Sequence, residues 1–228
     1  MHCGVTFKGM SMTQSPLSGG EAVLIGLVML AVVAFEATWA VVLHIDTMAH
    51  EGAHAIISSL SGRGVQSIKI KPNGDGETKP ARGGGASSAL VIGVVGYVGP
   101  SAFGLGAAKL IQSGHILSMF WVGLVLLAIL LLAARWSFAF VTVPLVGALA
   151  FLIGRYAPTH TQVIAAYATA WLLLLSGVRT IIQHGLDAGD AGILRSLTGI
   201  PKLLWSLLWL AGSLAAVAVG GRMLVMSA

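Results

Sequence analysis

The sequence predicts an all-α polytopic membrane protein of about six or seven helices, with a small β-hairpin after the helix that carries its most polar motif. Three observations point there. Of 228 residues, 56% are hydrophobic and only 9% charged, where a soluble domain usually carries about 25% charged residues. Near-unbroken apolar runs recur at 22–43, 89–108, 116–134, 138–153, 162–178 and 203–219, each close to the ~17–25 residues that cross a bilayer. Polar residues gather in one substantial block, 62–88, which carries turn signals instead of helical periodicity.

Taken in order, residues 1–20 read as a polar tail, 21–220 as a single membrane-embedded domain, and 221–228 as a C-terminal tail. The tail's Met10 and Met12 are alternative starts to Met1. The run at 22–43 is too long for a signal-peptide core and lacks a convincing cleavage site, so it reads as a retained span. Glu36 falls inside that run and reads either as a buried, neutral or hydrogen-bonded carboxyl or as a functional group. A helix at 46–60 follows, too polar to face lipid. Val65 to Lys71 is β-like, and Pro72-Asn73-Gly74-Asp75-Gly76 is a hairpin turn signal. This hairpin reads first as a solvated connector; its edge could also pair with an extended peptide. In the next run Gly96, Pro100 and Gly104 stand four apart, a thin face suited to close helix packing or to a gap lined by freed backbone groups.

The polar helix carries His50-Glu51-Gly52-Ala53-His54, an H-E-x-x-H sequence. At about 100° per residue the two imidazoles lie only ~40° apart, one turn from each other, and can bind one zinc ion. Glu51 lies beside them, placed to reach a water on the metal instead of the metal itself. Ionisable groups in an apolar setting are costly and usually functional. The single Cys3 excludes an internal disulfide and a multi-Cys zinc site, so ligands must come from His, Asp and Glu. With no sustained basic face and no aromatic-rich soluble module, nucleic acid is not an expected partner.

Charge sets the orientation. With alternating sides, Arg63, Lys69, Lys71, Lys79, Arg82, Arg135, Arg179, Arg195 and Lys202 share one side, against Lys109, Arg155 and Arg222. The positive-inside rule places the larger group, and with it the hairpin, in the cytoplasm. His54 lies eight residues before Gly62, ~12 Å along a helix, so the metal pair sits near that surface.

A catalytic zinc site needs a third protein ligand and an open position. Asp46 shares a face with the pair but lies ~12 Å from His54 along the helix; it could cap the helix or orient His50. Asp75 and Glu77 belong to the hairpin turn, Glu21 to the membrane edge, and His115 and His160 to the opposite side, while His44 precedes the metal helix and faces away. Glu36, His184, Asp187 and Asp190 remain.

Several segments together resemble the site-2 protease group of membrane zinc metalloproteases, and its compact bacterial branch most closely. They are the H-E-x-x-H helix after a first span, the hairpin, Gly96-Tyr97-Val98-Gly99-Pro100-Ser101, Gly189-Asp190-Ala191, and Leu194-Arg195-Ser196-Leu197-Thr198-Gly199-Ile200-Pro201 before Trp205 and Trp209. The resemblance spans about residues 20–220. It implies Zn2+ on His50, His54 and Asp190, with Glu51 as general base. The chain lacks the Asn-x-x-Pro…Asp-Gly segment in which better-known members carry that Asp, so Asp187 and His184 stand as alternatives.

The expected activity is that of an intramembrane zinc metalloendopeptidase in a bacterial cell membrane. Its site would lie toward the cytoplasm, and its partners would be the lipid bilayer and a membrane protein or peptide substrate. A non-hydrolytic metal-binding protein or transporter is the alternative, although no internal repeat and no row of ionisable residues through the spans supports transport. An inactive scaffold is a further possibility, against which the intact Glu51 argues.

Overall fold

The structure is a computed structural model that describes residues 14–184 and 189–226. Cys3, Met10, Met12 and Asp187 lie outside them. Among the described residues the order is α1 (Gly19–Ala34), α2 (Glu36–Leu60), β1 (Val65–Ile70), β2 (Gly76–Pro80), α3 (Ala86–Gln112), α4 (Ile116–Ala133), α5 (Ala139–Tyr156), α6 (Thr159–His184), α7 (Gly189–Thr198) and α8 (Lys202–Val225). Helices α3, α4, α5, α6 and α8 are long and apolar enough to cross a membrane, and α1 with α2 makes a sixth span if the bent pair counts as one. The chain is an all-α polytopic membrane protein, with one two-stranded sheet among the described residues.

The first predicted span does not run straight. It breaks at Phe35, where α1 and α2 meet at 99°. Phe35 adopts an extended backbone, and the Thr38 hydroxyl donates to the carbonyls of Val32 (2.7 Å) and Phe35 (3.0 Å), satisfying groups near the break that would otherwise lack partners. Glu36 opens α2, where a carboxylate complements the helix dipole. The reading of Glu36 as a buried carboxyl is therefore corrected: its side chain is 73% exposed and pairs with Arg179 at 2.5 Å. The helix bearing His50 starts ten residues earlier than expected, so His44 and Asp46 lie inside it. His44 packs on Phe138 instead of preceding the helix, and Asp46 cannot be its cap.

The α-helical bundle has two distinct ends. At one, Gln14 bonds to the Gly114 carbonyl and to Gln162, and Gly19 lies against Val225. His115 and His160 belong to this end. At the other are the hairpin, the α4–α5 link and α7. The α4–α5 link runs beside β1: Ala134 bridges Ile68, and the N–H groups of Arg135 and Phe138 donate to the carbonyls of Ile68 and Ile70. These bonds hold Trp136 at φ +31°, almost fully exposed.

The hairpin is not a solvated connector, which corrects the first reading of 62–88. Ile68 and Ile70 are buried in a cluster with Met48, Leu130, Ala134, Ala139 and Val143. The turn rests on α2 through the Thr47 hydroxyl, which donates to the Gly74 carbonyl at 2.7 Å. Gly74 has φ +89°, and a Cβ there would collide with Leu43; the Asn-Gly step supplies both the turn geometry and the close approach. With one edge of β1 covered by the α4–α5 link, β2 forms the other edge, beside α2.

Candidate metal centre

Helix α3 is the wall against which the polar helix is set. A Cβ at Gly99 would meet Ala53 Cβ at 2.6 Å and the Ala49 carbonyl at 3.0 Å, so the two backbones approach as only glycine allows. One turn away, a Cβ at Gly96 would stand 2.4 Å from His54 Nε2 and 2.6 Å from His50 Nε2. Close helix packing is thus present, and the missing side chain of Gly96 is what admits the two imidazoles beside α3.

The third group arrives on α7. Ala191 and Leu194 are fully buried in a cluster with Tyr97, Ile181 and Trp209. Their burial fixes α7 and points Asp190, in its first turn, at the pair. Tyr97 stacks on Trp209 at 4.6 Å and meets the His50 ring edge-on at 4.8 Å, while Trp209 Nε1 donates to the Val94 carbonyl. Aromatic packing thereby ties α8, α3 and α2 into one block around the cluster.

The result is a compact triangle. His50 Nε2 and His54 Nε2 are 3.1 Å apart, and Asp190 Oδ2 lies 3.3 and 3.2 Å from them. Tetrahedral coordination with bonds of ~2.0–2.2 Å sets donor separations near ~3.3–3.6 Å, close to what is seen. The outer nitrogen of His54, Nδ1, faces the Ile92 carbonyl at 2.8 Å and must donate to it. In the neutral ring Nε2 then carries a lone pair turned toward the triangle. Burial works against ionisation of Asp190, but when the Nε2 atoms of His50 and His54 carry protons, their hydrogen bonds and charge hold its carboxyl below the ordinary range. Three donors of metal-ligand type sharing one small gap fit a divalent cation.

Of the residues singled out from sequence, His50, His54 and Asp190 are brought together. His184 ends α6 as an exposed residue outside the cluster, and Glu36 pairs with Arg179. Asp46 is buried and accepts a hydrogen bond from the Thr180 hydroxyl at 2.6 Å, tying α2 to α6. Glu51 is buried on the side of α2 that faces the hairpin. The Thr78 hydroxyl donates to its Oε2 at 2.6 Å, and a Cβ at Gly76 would fall on its Oε1. Sequence reasoning did not single out Thr78 or Ile92, and named Gly76 only as part of the hairpin turn. A threonine in a hairpin carries no distinguishing signal, and any residue offers a backbone carbonyl.

A membrane-embedded helical bundle that presents two histidines one turn apart to a carboxylate on another helix has the make-up of a membrane metallopeptidase. The family model described as Peptidase M50B-like matches residues 23–220, and the chain belongs to that family, the site-2 protease family. Nothing matched among curated proteins or among solved structures.

Proposed function

We propose that the protein is an intramembrane zinc endopeptidase, cutting peptide bonds in or near membrane-spanning segments at the cytoplasmic end of the bundle. The observation that carries this reading is the triangle of His50 Nε2, His54 Nε2 and Asp190 Oδ2, with sides of 3.1–3.3 Å. The two imidazoles and the carboxylate would hold the ion and leave a fourth position open. Zinc bound there would supply a Lewis acid that lowers the pKa of water and polarises a carbonyl.

The remaining work falls to the chain. Glu51, adjacent to His50 on α2, takes the proton of the attacking water and returns one to the leaving amine as the C–N bond breaks. His54, fixed by the Ile92 carbonyl, keeps its ring in the ligating orientation. Tyr97 and Trp209 pack the inner side of the site and restrict water there. A transmembrane helix hides its peptide bonds in its own hydrogen-bond ladder, so a substrate must unwind locally, and β2 lies beside α2 as an edge along which an extended segment could lie. Nine basic residues on the hairpin side support a cytoplasmic site.

The test uses purified full-length protein with tagged single-span polypeptides, each interrupted by a Gly-Pro step. Wild type releases two fragments and holds one zinc per chain. Glu51→Gln keeps the zinc and releases none. Undiminished turnover by Glu51→Gln, or wild-type protein that binds no zinc, overturns the reading.

A further inference from the structure

The face of Glu51 opposite its own helix is built by the hairpin. Thr78 Oγ1 donates to Glu51 Oε2 at 2.6 Å and lies 3.3 Å from the Glu51 carbonyl. Gly76, two residues earlier on β2, lies so close that a Cβ would stand 2.2 Å from Oε1 and 2.6 Å from Cγ. Both carboxylate oxygens therefore meet β2, one through a hydrogen bond and one across a gap that only glycine leaves. A buried glutamate side chain has three torsions to fix, and a hydroxyl bonded to one oxygen selects among them.

The hairpin does not depend on this bond for its own position. The Thr47 hydroxyl holds Gly74, Ile68 and Ile70 are buried, and the α4–α5 link bonds to β1 at two carbonyls. Such independent anchoring is what a support needs if it is to set the geometry of another group.

We infer that β2 is part of the hydrolytic apparatus, with Thr78 as a positioning residue that orients the Glu51 carboxylate through its hydroxyl and Gly76 as the gap that admits that carboxylate. This rests on Glu51 being the general base. Thr78 touches neither substrate nor metal in this role; it fixes which oxygen of Glu51 is free to accept a proton and where that oxygen stands. Proton transfer needs heavy-atom distances of about 2.6–3.2 Å, so a carboxylate free to swing spends less time in reach.

The experiment compares Thr78→Val, which keeps the β-branched shape but removes the hydroxyl, with Thr78→Ser, which keeps the hydroxyl. With the zinc-loaded full-length enzyme and the single-span polypeptides described above, Thr78→Val is expected to lower kcat by about 10- to 100-fold. KM should stay within about twofold and zinc content should be unchanged, while Thr78→Ser recovers most of kcat. A second readout needs neither substrate nor metal. The carboxylate stretch of Glu51, isolated by infrared difference against Glu51→Gln in metal-free protein, should shift in Thr78→Val and return in Thr78→Ser.

Wild-type or higher kcat in Thr78→Val overturns the inference, as does an unshifted carboxylate band; higher kcat would mean that the hairpin restrains Glu51 instead of aligning it. Loss of kcat in Thr78→Ser equal to that in Thr78→Val also overturns it. Turnover by Glu51→Gln is a different failure, because it removes Glu51 as the general base on which the inference rests and leaves the carboxylate band to report the bond alone.

Discussion

Asp190 Oδ2 lies 3.2 Å from His54 Nε2 although 136 residues separate them in the chain, and it lies only 3.3 Å from His50 Nε2. An ionised carboxylate beside two imidazole lone pairs adds a third acceptor atom to the gap, and a set of that kind is held together by a cation between its members. That makes Asp190 the residue whose loss should be felt in metal content. Changes in the outer shell of a zinc site typically cost about 10–100-fold in affinity. Asp190→Ala, removing a ligand, is expected to cost more than that, and His50→Ala likewise. Metal analysis after dialysis against a graded chelator checks both. Full zinc retention by Asp190→Ala would move the third ligand to Asp187 or His184.

Gly96 and Gly99 sit three apart on α3 but protect different things. Ala at Gly96 would put a methyl 2.4–2.6 Å from both Nε2 atoms, so Gly96→Ala is expected to abolish zinc binding while the bundle stays folded. Ala at Gly99 meets the Ala49 carbonyl and the Ala53 methyl, which must part, and overpacking of this kind costs about 1–3 kcal/mol. Gly106 has nothing within 4 Å of its would-be Cβ, and Gly106→Ala is the neutral control. Thermal unfolding in micelles together with zinc analysis separates the three. A Gly96→Ala protein with one zinc per chain would show that the metal does not occupy this gap.

Much of this was legible because the strongest signals are local. His50, Glu51 and His54 lie within five residues, the apolar runs announce the spans, and Asn73-Gly74 announces the hairpin. What sequence missed depends on contacts made at a distance. Glu36 reads as buried in a continuous apolar run because hydropathy does not see a 99° bend; the clue was Thr38, whose hydroxyl serves two carbonyls near the break. The hairpin's polar composition reads as solvated, yet Ile68 and Ile70 alternate onto a buried face while Lys69 and Lys71 point out. Asp190 could be reached from sequence only by elimination and family resemblance. Its approach to α2 is decided by how Ala191 and Leu194 seat α7, and neither residue announces a docking site.

That seat gives the next prediction. Leu194 is fully buried against Tyr97 and its neighbours, and a Cβ at Gly93 would meet it at 3.0 Å. Leu194→Ala should cost about 2–5 kcal/mol through the cavity it leaves. Because α7 carries Asp190, zinc affinity should fall along with stability, whereas a similar cavity at Leu174, in the cluster with Tyr167, should cost stability alone. Parallel chelator titrations of Leu194→Ala and Leu174→Ala check this, and equal zinc affinities would argue that α7 is held by Asp190 and not the reverse.

Asp46 and Thr180 supply the last. The Thr180 hydroxyl donates to Oδ2 of the buried Asp46 at 2.6 Å in a part-buried contact between α2 and α6, one helical turn before His50. Thr180→Val keeps the side-chain shape and withdraws the donor, leaving a buried carboxyl oxygen without it at a cost of about 1–3 kcal/mol. At about 2–4 °C per kcal/mol for a chain of this size, the loss is readable in a melting curve. Asp46 has no hydrogen bond to His50 in the structure, so zinc affinity should hold within about threefold, well short of the effect of an outer-shell ligand partner. A tenfold loss of zinc affinity in Thr180→Val would instead show that Asp46 orients His50. An unchanged melting curve would show that the contact between α2 and α6 is carried by the pairs of Trp39 with Gln183 and Glu36 with Arg179.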